Sequence, residues 1–212
     1  MNNIAFLFSG SGSLLESVSE LCSDLINNCH LKLVISNNRD VDLDKLHIPK
    51  GTEFHIIDHA NYQNRLEHES AIEELLMDND IHLIVLGGYR RIFSQNFVKK
   101  FGCITINTHP SILPSFPGDK AQQSAIDYGV RCSGATVHFI NNEVDQGPII
   151  AQSIIEVKMG TQESELRKKI TNTEKYLIPQ AIRLITSGKI SFDGTNIVYH
   201  SEINESLLYI GK

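Results

Sequence analysis

The order of apolar runs and amphipathic stretches predicts an α/β fold. The expected form is a Rossmann-like open, mostly parallel sheet with helices on both faces, a long C-terminal helix and a small hairpin. Three observations predict it. Ile4-Ala5-Phe6-Leu7-Phe8 is apolar without a break, as suits a strand covered on both faces. A glycine/serine turn follows it, and then a stretch of helical periodicity. Strand-like and helix-like segments go on alternating, the pattern that right-handed crossovers build into a parallel sheet.

The elements follow in order. Leu14, Leu15, Val18, Leu21, Cys22, Leu25 and Ile26 mark one face of a first helix. Leu31–Ile35 reads as a second strand, 65–78 as a helix with Leu66, Ile72, Leu75 and Leu76 inward, and 81–86 as a buried strand ending at Gly87-Gly88. A short helix near 94–100 leads to the strand ending at Asn107. Pro110, Pro114 and Pro117 then impose an irregular loop. Two strands, 134–140 and 149–157, flank the loop 141–148. A helix over 162–187 should kink or break at Pro179, and 190–192 pairs with 196–199 around Asp193-Gly194-Thr195. With no repeat and no linker, 1–212 reads as one domain.

Composition excludes several classes. Hydrophobic residues make up 41% and charged residues 21%, an ordinary balance for a globular protein. A net charge of −6 argues against a broad nucleic-acid-binding surface. The N-terminus lacks a basic region, and no apolar run approaches the roughly 18 residues of a membrane span. Cys22, Cys29, Cys103 and Cys132 form no CxxC pair and read as reduced, structural thiols of a cytoplasmic protein. No HxH or HExxH spacing supports a metal site.

Asn107-Thr108-His109-Pro110-Ser111 carries the chemistry. Positions i and i+2 of a strand share a face, so Asn107 and His109 point the same way. A carboxamide donor beside a titratable imidazole suits a carbonyl oxygen that gains charge while a proton moves. Asp145, in Asp-Gln-Gly-Pro, is an ordinary turn former, yet it also falls at a strand end, where open α/β sheets bind ligands. A carboxylate there would favour the imidazolium. His138, between Val137 and Phe139, reads as core or surface.

Ser9-Gly10-Ser11-Gly12-Ser13 joins the first strand to the first helix and can cradle a phosphate on free N–H groups. The alternative is a tight turn with Ser13 as helix cap. A dinucleotide fingerprint fails because Leu15 stands in place of the third glycine and the second strand ends in Asn37-Asn38.

The first loop, Asn107–Pro114, Thr136-Val137-His138-Phe139 and Asp145-Gln146-Gly147-Pro148-Ile149-Ile150 together resemble the phosphoribosylglycinamide (GAR) formyltransferases, from Asn3 to about Tyr199. The resemblance implies 10-formyltetrahydrofolate as donor and direct transfer to an amine in purine synthesis. It implies that Asn107 and protonated His109 stabilise the oxyanion, with Asp145 supporting His109 and relaying the amine proton. The folate pterin would lie against Leu86, Arg91, Ile92, Val98 and Ile140, with Arg65 at the folate or substrate edge. Gly12, Ser13 and the backbone of Leu14 would bind the ribonucleotide, and Glu174 the ribose hydroxyls.

Three departures bear on the acceptor. Leu14 stands where the family usually has Asn, Lys120-Ala121-Gln122 replaces the commoner His-Thr-His, and Arg90 adds a charge before Arg91. The alternatives are therefore transfer to another amine, such as an amino-sugar nucleotide, or a degenerate folate- or nucleotide-binding module. Methionyl-tRNA formylation is not expected, because that family resembles this core plus a further C-terminal domain and the sequence ends at Lys212. Small-molecule partners, and a monomer or homodimer, are expected.

Overall fold

The computed structural model describes residues 1–203 and 209–211. The chain forms two compact units, Met1–Asn107 and Thr108–Lys212.

In the first unit, strands β1 (Asn2–Phe8), β2 (Cys29–Ser36), β3 (Glu53–Ile56) and β4 (Leu83–Leu86) are joined by helices α1 (Leu15–Ser23) and α2 (Arg65–Asp78). Helix α3 (Gln95–Phe101) leads to β5 (Thr105–His109). All pairings are parallel: β2 lies between β3 and β1, β1 pairs β4, and Thr105, Ile106 and Asn107 pair Ile84, Val85 and Leu86. Ile4 to Phe8 and Leu83 to Leu86 are all buried, which is why these strands carry no polar alternation. The short edge strand β3 escapes sequence reading, since Glu53-Phe54-His55-Ile56 has only two apolar residues and none is fully buried.

The second unit carries α4 (Ala121–Tyr128), the antiparallel pair β6 (Cys132–Phe139) and β7 (Ile149–Glu156), and the long helix α5 (Glu163–Thr186). The hairpin β8 (Ile190–Phe192) and β9 (Ile197–Tyr199) follows, and β10 (Tyr209–Gly211) runs parallel to β7. The fold is thus the expected α/β class, mostly parallel, with a long C-terminal helix and a small hairpin. Leu166, Ile170, Leu177, Ile178, Ala181 and Ile182 form the buried stripe of α5, which packs on β6 and β7.

Several local expectations need correction. Helix α1 stops at Ser23, and Asp24 caps a separate 3-10 turn over Leu25–Asn27, so Leu25 and Ile26 are exposed instead of continuing the buried face. Leu66 is exposed on α2, whose inward face includes His68 and Glu69 beside Ile72 and Leu76. Helix α5 runs through Pro179 without interruption. Strand β5 ends at His109 instead of Asn107, and α4 was not foreseen. Cys103 and Cys132 are exposed; only Cys29 is buried, with the Cys22 Sγ 3.5 Å away. Among the described residues no helix is long and apolar enough to cross a membrane.

Candidate active site

The site is best built outward from His109, the last residue of β5 and buried. Its Nδ1 lies 3.2 Å from Asp145 Oδ2, and its Nε2 lies 2.8 Å from the Phe116 carbonyl oxygen. Both ring nitrogens therefore face acceptors, and the ring donates to both only as the imidazolium. Asp145 Oδ2 also accepts the Gly118 N–H at 2.7 Å, which fixes the carboxylate in the loop between β6 and β7.

Two turns make this convergence possible. Asp145 itself adopts a left-handed backbone (φ 55°), a conformation aspartate tolerates better than most residues. Gly147 lies so close to β6 that a Cβ there would sit 1.7 Å from the Phe139 carbonyl oxygen, so no larger residue fits without moving the turn. The loop after Pro110 is equally bent, with positive φ at Phe116 and Lys120.

His138 completes the cluster. A register shift between Val137 and His138 in the β6–β7 pairing marks a bulge, the usual device for re-aiming a strand side chain. Its Nδ1 donates to the Phe139 carbonyl at 2.7 Å, leaving Nε2 3.7 Å from Asp145 Oδ1. Burial pushes the His138 pKa down, against the Phe139 carbonyl and Asp145, while His109 pushes it further down. Burial thus favours the neutral form of this ring, and one carboxylate faces two histidines. Sequence alternation assigned His138 to core or surface; it is core, but the bulge that turns it towards Asp145 leaves no sequence signal.

Thr108 lies between Asn107 and His109 and faces the opposite side of β5. Its Oγ1 donates to Glu174 Oε1 on α5 at 2.9 Å. Burial pushes the Glu174 pKa up to about 7, and the Thr108 hydroxyl holds it back only partly. Asn107, half-buried, closes the first unit at the end of its β4 pairing.

Other sequence-predicted positions fall on the loops of their own units. Leu86 ends β4; Arg91 and Ile92 are exposed on the next loop, and Val98 is half-buried on α3. Ile140, half-buried, follows β6 in the second unit. Arg65 opens α2 and makes a long 3.5 Å contact from Nη1 to the Ile92 carbonyl. Arg65 and Arg91 line one cavity of about 190 Å³ together with His59, Tyr62 and His68.

Gly12 (φ 69°) turns the first loop, and its carbonyl accepts the Leu15 N–H at 2.9 Å. Ser13 is not the helix cap that the alternative reading offered: Leu14 holds that position with no side-chain bond to the first turn. The Leu14 side chain packs into the core and makes no cap bond to the first turn of α1. Among the described residues, no group of three or more His, Cys, Asp or Glu side chains is arranged to hold a metal ion.

The formyl transferase family profile matches residues 2–182. The chain is 32% identical over 194 residues to the phosphoribosylglycinamide formyltransferase of Haemophilus influenzae, covering 90% of each protein. It is 37% identical over 188 residues to the human trifunctional purine biosynthetic protein adenosine-3, covering 88% of this chain but 18% of that protein. The chain thus spans about a fifth of the length of such trifunctional relatives. The crystal structure of glycinamide ribonucleotide transformylase 1 from Symbiobacterium toebii superposes with a TM-score of 0.88 at 33% identity, covering 95% of each chain. With one family profile running through β5, the Asp145 loop and most of α5, the chain belongs to the phosphoribosylglycinamide formyltransferase family.

Proposed function

We propose that the protein transfers the formyl group of 10-formyltetrahydrofolate to the amine of glycinamide ribonucleotide in purine synthesis. The observation that carries this reading is the 3.2 Å contact between His109 Nδ1 and Asp145 Oδ2 at the end of β5, with Asn107 on the same strand face. That a single family profile spans both compact units supports treating 1–212 as one functional domain.

In this reaction the amine nitrogen attacks the formyl carbon, and the carbonyl electron pair moves onto oxygen. The Asn107 carboxamide and the His109 imidazolium stabilise that oxyanion; losing one such donor costs about 10²–10³ in rate. Asp145 supports the His109 ring and takes the amine proton through a water molecule, a role whose loss costs roughly 10²–10⁴. Collapse restores the carbonyl, breaks the bond to the folate nitrogen, and that nitrogen takes up a proton. For the His109 Nε2–H to reach the oxyanion it must leave the Phe116 carbonyl, while the Asp145 contact on Nδ1 persists.

Substrate placement follows the loops. Gly12, Ser13 and the Leu14 backbone, at the N-terminus of α1, receive the phosphate of the acceptor. Glu174 bonds the ribose hydroxyls. Leu86, Arg91, Ile92, Val98 and Ile140 contact the folate ring, and Arg65 its edge. Exposed Ile92 offers an apolar surface to a flat ring. The reading also keeps small-molecule partners, a cytoplasmic location, and a monomer or homodimer.

The test is formyl transfer from 10-formyltetrahydrofolate to glycinamide ribonucleotide, with an amino-sugar nucleotide as the competing acceptor. Turnover with the first amine and not the second supports the assignment. Turnover only with the second replaces the acceptor, and folate binding without turnover on either amine leaves a binding module.

A further inference from the structure

Glu69 is a buried carboxylate with an unusual pair of partners. It stands on α2, is 3% exposed, and directs both oxygens at one residue. Its Oε1 accepts the Ser94 backbone N–H at 2.7 Å, and its Oε2 accepts the Ser94 hydroxyl. Ser94 in turn caps α3, its Oγ accepting the Phe97 N–H at 3.3 Å.

A helix cap needs only the serine. Burying a carboxylate is costly unless good hydrogen bonds offset it. Glu69 therefore does something the cap alone does not: it ties α2 to the loop between β4 and α3. Arg65 lies four residues earlier, on the same face of α2, and reaches the Ile92 carbonyl of that loop. The two contacts bracket the end of the loop at Ile92 and Ser94.

The start of the loop is held separately. The Ser9 N–H donates to the Gly88 carbonyl at 3.2 Å, and the Arg90 N–H donates to Ser9 Oγ at 2.7 Å. Tyr89 stacks on Phe93 and Phe93 on Phe97, with ring centroids 5.2 and 3.9 Å apart. Between these anchors Arg90, Arg91 and Ile92 are exposed.

We propose that Glu69 is a positioning residue for the formyl donor, holding Ser94 so that Arg91 and Ile92 present a fixed surface to the folate ring. The proposal rests on the donor reading above, but not on the identity of the acceptor amine. Without the Glu69 carboxylate the loop keeps its first anchor and its cap, yet loses the link that sets its height over α2.

The test compares Glu69→Ala, Glu69→Gln and Glu69→Asp in the full chain. Donor KM, acceptor KM, kcat and Tm are measured, with equilibrium binding of tetrahydrofolate by calorimetry and hydrogen exchange of the 88–94 amides. Loss of hydrogen bonds to a charged group predicts that Glu69→Ala raises donor KM and the tetrahydrofolate Kd about tenfold. Saturating kcat and acceptor KM stay within about twofold, and exchange at 88–94 accelerates. Glu69→Gln, which keeps one acceptor oxygen, recovers most of the affinity; Glu69→Asp, too short by one methylene, does not. If Glu69→Ala does not fold, the Gln and Asp pair decides the matter. Unchanged tetrahydrofolate affinity in the folded variants overturns the proposal, as does a uniform fall in all constants that follows Tm. Wild-type protein that binds tetrahydrofolate but does not formylate glycinamide ribonucleotide refutes the acceptor assignment alone, and the binding comparison still decides the role of Glu69.

Discussion

Asp145 Oδ2 lies 3.2 Å from His109 Nδ1 and at the same time accepts the Gly118 N–H at 2.7 Å. One oxygen thus both orients the imidazole and pins the loop after β5 to the loop after β6. The carboxylate is fixed before any substrate arrives, as the proposed proton-transfer role requires.

Asp145→Asn keeps an acceptor oxygen for Gly118 and removes the charge opposite His109. Formyl transfer is expected to fall about 10²–10⁴-fold, while Tm moves by no more than a few degrees. Steady-state kinetics with a thermal melt checks both. A variant with near-normal kcat removes Asp145 from the mechanism.

His138 gives the fold an acid-sensitive component. Burial lowers its folded-state pKa below the ordinary 6.5, so below pH 6.5 the unfolded chain binds a proton that the folded chain refuses. Stability contributed here is complete above pH 6.5 and declines as pH falls towards the folded pKa. His68, lowered chiefly by burial, adds in the same direction. His138→Gln should flatten the decline between pH 6.5 and 5 by up to one proton, about 1.4 kcal/mol per pH unit, without abolishing it. Urea melts across that range measure the slope.

Glu174 acts with the opposite sign. Its folded-state pKa is pushed up to about 7 from 4.5, so between those values the folded chain holds a proton that the unfolded chain has lost. Stability therefore falls as pH rises from 4.5 to 7 and levels off above. Glu174→Gln keeps an acceptor for Thr108 and removes the ionisation, so it should be more stable than the parent at pH 8, by at most about 3 kcal/mol. If Glu174 bonds the ribose as proposed, the same substitution should raise acceptor KM and leave donor KM unchanged.

Gly147→Ala should be severe. The added Cβ meets the backbone oxygen of Phe139 at 1.7 Å, and backbone cannot swing aside as a side chain would. The turn bearing Asp145 must then shift by more than an ångström, and misplacement on that scale costs about 10²-fold in rate. A kcat close to that of the parent in a folded variant would show that the turn tolerates displacement.

The sequence by itself determined the strand–helix order, because continuous apolar runs and 3.6-residue stripes are local patterns that burial imposes on the chain. β1, β4 and α5 are legible for that reason. Asn107 and His109 were legible as a pair because strand alternation is a local rule, and the family resemblance singled out Asp145. Weakly patterned elements were not: β3 is a short edge strand, and α4 follows a proline-bent loop. Helix α1 also ends earlier than its apolar stripe, because Asp24 caps a new turn.

Only the tertiary structure decided what surrounds these residues. The bulge at Val137/His138 turns a core histidine towards Asp145, the left-handed turn at Asp145 aims its carboxylate, and backbone groups of Phe116 and Gly118 supply partners. Backbone carbonyls and N–H groups carry no residue code, so no motif could announce them. The grip of Glu69 on Ser94 spans 25 positions and joins two helices whose patterns are independent. The candidate residues can be named from the chain, but their orientations and partners depend on burial and on long-range hydrogen bonds, which exist only once the chain is folded.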